Sequence, residues 1–256
     1  MKTIKVILIL GIVLFLSYAA WIKIRSMDIG DDGPPLSVSW EGFYHEYNFR
    51  DMGKSLNTCL GEKFFREEVV MRSARWFSGW DCQKVGNPDM IYSLNYSPHK
   101  KVRYFCQADN MKNIGRYFNP EIQLDDLEFE KTWENSLMKN ATCRFFSDIF
   151  DSILSGKSIL IHCSAGRDRT GTFSALLAGL AAERADRLDD SMLAAIECDY
   201  RKTESLVPEK YGRMRQFLFQ LKQKGTLAEF FNRQCSIPIE TSHQVADRLW
   251  ATSGVQ

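Results

Sequence analysis

A cysteine and an arginine six positions apart, Cys163 and Arg169, frame the stretch His162-Cys163-Ser164-Ala165-Gly166-Arg167-Asp168-Arg169-Thr170-Gly171. A thiolate is a strong nucleophile, and a planar guanidinium grips two oxygens of a tetrahedral anion at once. Small residues between the two let consecutive backbone N–H groups turn inward as an anion nest. Together these groups suit in-line attack on a phosphoryl group, with the nest and Arg169 neutralising the equatorial oxygens. The Cys-to-Arg spacing alone is weak, but none of the other six cysteines has it.

The surrounding pattern supplies the elements that must hold these groups. Ser158 to Ile161 reads as a short buried strand, and Phe173, Leu176, Leu177 and Leu180 recur at helical spacing. Cys163 to Thr170 is therefore a strand-to-helix loop, at the carboxyl end of a strand, where open α/β sheets bind ligands. The positive end of the following helix faces the same point and should favour thiolate over thiol. Further strands are expected at Glu68 to Met71, Met90 to Leu94 and Val102 to Phe105. Three more apolar stripes read as helices: Phe146, Ile149, Phe150, Ile153 and Leu154, ended by Gly156; Met192, Leu193 and Ile196; and Met214, Phe217, Leu218 and Leu221. Strands early and helices late predict an α/β sandwich, a mostly parallel or mixed sheet flanked by helices.

The chain has 256 residues, 45% hydrophobic and 25% charged, with a formal charge of +1. That is the balance of a folded globular protein without the global field that attracts nucleic acid, so nucleic acid is not an expected partner. Val6 to Ile22 runs seventeen residues without a charge, between Lys2 and Lys5 on one side and Lys23 and Arg25 on the other. It reaches about 26 Å, enough to span a slightly thinned bilayer as an N-terminal transmembrane helix; a cleaved signal peptide is the rival reading. Residues 1–25 thus read as a membrane anchor or signal segment. Residues 26–39, polar and rich in Gly and Pro, read as a linker, and 40–256 as one domain. With the N-terminus inside, that domain lies on the far side of the membrane. None of the seven cysteines sits at metal-ligand spacing with His, so neither metal nor cofactor is expected. Setting Cys163 aside leaves six, enough for three disulfides in an oxidising compartment or, alternatively, a set of small buried hydrophobes.

HCSAGRDRTG resembles the signature loop of the protein tyrosine phosphatase superfamily, His-Cys-x5-Arg-Ser/Thr. With Asp168 before the arginine and a basic residue before that, it is most similar to the bacterial tyrosine, dual-specificity and lipid phosphatase branch whose loop reads HCxAGKDRTG. Weaker patches continue the resemblance: Asn48-Phe49-Arg50-Asp51-Met52-Gly53 is similar to NFRDLGG, Arg72-Ser73 to an Arg-Ser ending the next strand, and Asp199-Tyr200 to an Asp-Tyr downstream of the loop. Ser93-Leu94-Asn95 departs from the Asp-Leu-Arg usual after the third strand.

The resemblance implies a phosphatase fold and a phosphocysteine intermediate on Cys163, acting on a phosphorylated protein or a phosphoinositide. Arg169 and the backbone of Ser164, Ala165, Gly166 and Arg167 would bind the phosphoryl group. His162 would orient the loop, Thr170 would hydrogen-bond the sulfur, and Arg167 would tune substrate choice. Asp168 is the first candidate for the general acid, with Asp125 and Asp126 second. The competing function is a membrane-anchored module that binds phosphate without turning it over; an arsenate reductase or sulfurtransferase shares the Cys-loop-Arg design but lacks the supporting patches.

Overall fold

The computed structural model describes residues 48–74, 80–82, 86–94, 106–107, 113–114, 116–118, 129–163, 166–203 and 210–251, with five positions between 11 and 18. The strands are β1 (Arg50–Asp51), β2 (Val70–Ala74), β3 (Trp80–Asp81), β4 (Met90–Ser93), β5 (Cys106–Gln107), β6 (Asn113–Ile114), β7 (Arg116–Phe118) and β8 (Ile159–Cys163). The helices are α1 (Met52–Leu60), α2 (Phe129–Glu134), α3 (Ser136–Leu154), α4 (Asp168–Arg184), α5 (Asp190–Arg201), α6 (Arg213–Lys222), α7 (Leu227–Cys235) and α8 (Ile239–Leu249). The expected strand at Val102 to Phe105 lies outside the described residues.

Five strands form one sheet in the order β1-β2-β8-β4-β7, and β3, β5 and β6 form a smaller one. Apart from the antiparallel pairing of β1 with β2, the larger sheet is parallel, with β8 between β2 and β4. Every residue of β8 is buried, as a strand covered on both faces must be. The expected strand ended at Ile161, whereas the observed one runs on through Cys163. Pairing of Ser73 and Ser93 with His162, and of Ala74 with Cys163, carries the ladder two residues past the apolar run.

The helices are set by caps that local sequence encodes. Asp51, Asn135 and Asp189 each accept a backbone N–H at the start of α1, α3 and α5, and Thr226 with Glu229 closes a capping box on α7. The apolar stripe of α3 meets α4 and α7 in an aromatic cluster: Phe146 stacks on Phe173 at 5.0 Å between centroids and meets Phe231 edge-on at 4.9 Å. Residues after Gln234, which carry no readable motif, form α8, which packs on α3 and α4. The chain end returns to the segment after α1 through Arg66 N–H to Leu249 O and Ala251 N–H to Phe64 O.

Among the described residues no helix is long and apolar enough to cross a membrane. Most of the run Val6 to Ile22 lies outside them; the positions within it that are described are helical and exposed.

The reading of the spare cysteines as small hydrophobes fails. Cys59 on α1 is joined to Cys198 on α5, Cys143 on α3 to Cys235 at the end of α7, and Cys82 is also disulfide-bonded. The Cys143–Cys235 bond closes a loop with a sequence separation of 92. Loop-closure entropy for that length predicts that replacing both cysteines by serine lowers stability by about 4.6 kcal/mol, less whatever structure the unfolded chain retains. Thermal melts of the pair variant against wild type, each with and without reductant, check this; equal midpoints for the two oxidised proteins would show the bond to be neutral.

Candidate active site

Cys163 ends the central strand, with the parallel strands β2 and β4 on either side and the start of α4 five residues on. It is 3% exposed and is the free cysteine among the described residues. The turn between strand and helix is made at Gly166, whose φ of +68° lies in the left-handed region that a side chain disfavours. Ser164 and Ala165 lie outside the described residues. Arg167 occupies the N-cap of α4, and its guanidinium, a donor only, caps none of the N–H groups of the first turn. Those groups and the helix dipole suit an anion at the loop's centre.

Arg169 lies in the first turn of α4 and is anchored by Nη1 donating to Leu94 O at 2.5 Å. Leu94 N–H in turn donates to His162 O at 2.7 Å, tying the end of β4 to the nucleophile's strand. Ser93-Leu94, the point of departure in the sequence, serves Arg169 through a backbone carbonyl that any residue supplies; Asn95 lies outside the described residues. His162 is fully buried, its Nδ1 3.3 Å from Cys163 O. The Thr170 hydroxyl is also fully buried and has no hydrogen-bond partner among the described residues.

Asp168 sits in a nest of donors. Tyr200 Oη and Lys210 Nζ donate to its Oδ1 at 2.9 and 3.0 Å; Arg167 Nε and Lys210 Nζ donate to its Oδ2 at 3.0 and 3.1 Å. Arg213 Nη1 lies 4.0 Å from Oδ1. Partial burial alone would raise this carboxyl, but the charges of Arg167 and Lys210, with the Tyr200 hydroxyl, outweigh it and hold Asp168 below the ordinary carboxylate value. It is thus held as an anion with its acceptors in use. Asp125 and Asp126 lie outside the described residues. Arg167, expected at the rim to tune substrate choice, is turned onto Asp168.

Beneath the loop lies a buried ionic platform. Arg72, 1% exposed on β2, donates from Nη1 to Asp199 Oδ2 at 2.5 Å and from Nη2 to Gly166 O at 3.0 Å. Asp199, in the last turn of α5, also accepts from Arg50 Nε at 2.7 Å and Ser55 Oγ at 2.6 Å. Burial opposes the charge on Asp199, yet Arg50 and Arg72 hold its carboxyl far below the usual range. Burial and the neighbouring Arg50 push Arg72 down to about 10, since two guanidiniums share one carboxylate; it stays charged at neutral pH. The close fit explains Gly171: a Cβ there would stand 2.7 Å from the Tyr200 ring and 3.6 Å from Arg72 Nη2. Arg50, Arg72, Asp199 and Tyr200 sat in the sequence only as patches of resemblance without a role. Lys210 carried no signal.

A strand-end thiol, a turn onto a helix N-terminus and an arginine in its first turn make an oxyanion-binding cradle of phosphatase type. A model of the tyrosine phosphatase family matches residues 123–254, more than half of the chain and the whole of this loop, and the chain belongs to that family. No curated protein matches it. The domain is accordingly a phosphatase domain, and its substrate is a phosphorylated one.

Proposed function

We propose that this chain is a metal-independent, cysteine-dependent phosphomonoester hydrolase of the bacterial tyrosine, dual-specificity and lipid phosphatase branch. The observation that carries this reading is the position of Cys163, the free thiol of the described residues, at the end of the central parallel strand and five residues before α4. Cys163 Sγ forms a bond to phosphorus as the ester oxygen leaves with a proton, giving a phosphocysteine. Water then forms the new P–O bond, the S–P bond breaks, and the water's proton passes to a carboxylate. Arg169 and the loop N–H groups, those of Ser164, Ala165, Gly166 and Arg167 included, hold the equatorial oxygens through both steps. Thr170 donates its buried hydroxyl to the leaving sulfur, and His162 braces the loop.

Its charge state suits Asp168 to accept the water's proton in the second step, and leaves donation in the first to Asp125 or Asp126. Substrates are phosphorylated proteins or phosphoinositides, and Arg167, Lys210 and Arg213, gathered at Asp168, favour the more highly charged. The disulfides Cys59–Cys198 and Cys143–Cys235 support an oxidising compartment outside the cytoplasm. The exposed apolar positions Val13, Leu14 and Tyr18 support a tether through Val6 to Ile22.

Rapid-quench labelling with a phosphotyrosine peptide and a phosphoinositide panel, in the presence of a chelator, tests this. Label should stay on the quenched wild type and be absent from Cys163→Ser. Asp168→Asn should retain the burst of leaving group and slow the second step, while Asp126→Asn should lose the burst. A folded wild type that binds tungstate but forms no phosphoenzyme would instead make the chain an anchored phosphate-binding module.

A further inference from the structure

We infer that Arg72 is a positioning residue, a buried fork that turns the Gly166–Arg167 peptide so that its N–H faces the bound phosphoryl group. This rests on the phosphatase reading of the cradle and deepens it. The two terminal nitrogens of Arg72 divide between an anchor and a target: Nη1 is fixed on Asp199 Oδ2, and Nη2 draws the Gly166 carbonyl down toward the sheet. A trans peptide is planar, with C=O and N–H on opposite sides, and no cis bond occurs in the chain's described residues. Fixing the carbonyl below the loop therefore aims the next N–H above it, into the cradle. Left to itself this peptide has little to hold it, because Gly166 is the most freely rotating residue of the turn and Arg167 makes no cap bond.

Three further observations support a device rather than a chance contact. Asp199 is itself held by Arg50 Nε, by Ser55 Oγ and, through its backbone carbonyl, by Arg50 Nη2 at 2.7 Å, so the anchor end does not move. Gly171 lacks a Cβ, which would stand 2.7 Å from the ring of Tyr200, the residue next to Asp199, so the anchor packs tightly under the first turn of α4. Arg72 pairs in register with Ile161, two residues before the nucleophile, and lies within electrostatic reach of Cys163. A buried cation that only stabilised the fold would need Asp199 alone. The bond to Gly166 O links it to the loop. Lysine cannot replace it, since a single ammonium lacks the planar fork that spans both acceptors.

The test uses the full chain with its disulfides intact, in wild-type, Arg72→Lys and Arg72→Met forms. Asp199 keeps Arg50 in both variants, which preserves a partner for the buried carboxylate. Loss of one aligned oxyanion donor predicts a fall in kcat of about 10²-fold and a comparable weakening of tungstate binding by calorimetry in both variants. A purely structural role would lower the melting midpoint and leave both values of the folded fraction within about twofold of wild type, which would overturn the inference. A second readout needs no variant: the Arg167 amide proton of the wild type should move downfield on titration with tungstate, and an unmoved resonance would equally overturn it. The underlying reading fails separately. A wild type that binds tungstate, loses that binding in Arg72→Lys and never turns over would remove hydrolysis while sustaining the positioning role.

Discussion

Cys163→Ser should release no phosphate from any substrate that the wild type hydrolyses, a loss of at least about 10⁴-fold, because a serine hydroxyl at neutral pH is not the nucleophile a thiolate is. The substitution exchanges one atom for another of similar size at a position 3% exposed, so the cradle and the fold should survive. Tungstate binding and the melting midpoint of the variant should stay close to those of the wild type while turnover disappears. Arg169→Ala makes the complementary case: the thiol remains, but the guanidinium held on Leu94 O is lost, and binding and turnover fall together. Residual turnover in Cys163→Ser above a few per cent of the wild type would place the chemistry elsewhere. Phosphate release in the presence of a chelator is the measurement.

Asp199→Ala has one of the two largest expected effects on stability. It removes the carboxylate that lies between two guanidiniums, Arg50 and Arg72, and leaves the second of these 1% exposed beside a chain carbonyl. Breaking a buried pair in this way costs about 3–5 kcal/mol, because an uncompensated charge stays in the interior. The pH dependence follows from the depressed carboxyl. Its folded value lies below the unfolded one of about 3.9, so the unfolded chain binds the extra proton as the medium is acidified. The contribution of Asp199 is thus complete above about pH 5 and is lost as pH falls through the folded value. Denaturant titrations of wild type and variant should differ by a constant amount between pH 5 and 8, as the one-group linkage requires, and converge only in strong acid. A difference that grew on acidification would reverse the sign and rule out the platform as described.

What could be read in advance was local. The loop from His162 to Gly171 announced a strand-to-helix turn because an apolar run precedes it and a 3.6-period stripe follows, and both neighbours formed as expected. The same held for the stripes of α3, α5 and α6. The platform was illegible for a physical reason. Arg72 and Asp199 are 127 residues apart, and nothing in a window around either reports that β2 and the end of α5 meet. Disulfide partners follow the same rule, since Cys59 and Cys198 are separated by 139 residues and only topology decides who faces whom. The surroundings of Asp168 were illegible for the same reason: its charge state depends on Lys210, which arrives from 42 residues downstream.

The seven cysteines also set an order of events during folding. With an odd number, at least one thiol must finish unpaired within the chain, and among the described residues that thiol is Cys163, the proposed nucleophile. The disulfides Cys59–Cys198 and Cys143–Cys235 are non-local, so neither can close until distant parts of the chain have already met. Until β8 is sandwiched between β2 and β4, Cys163 competes for every partner that the structural pairs require. Burial of the central strand therefore protects the Cys163 thiol from scrambling before it ever meets a substrate, and oxidative refolding that runs ahead of sheet assembly would trap mispaired chains.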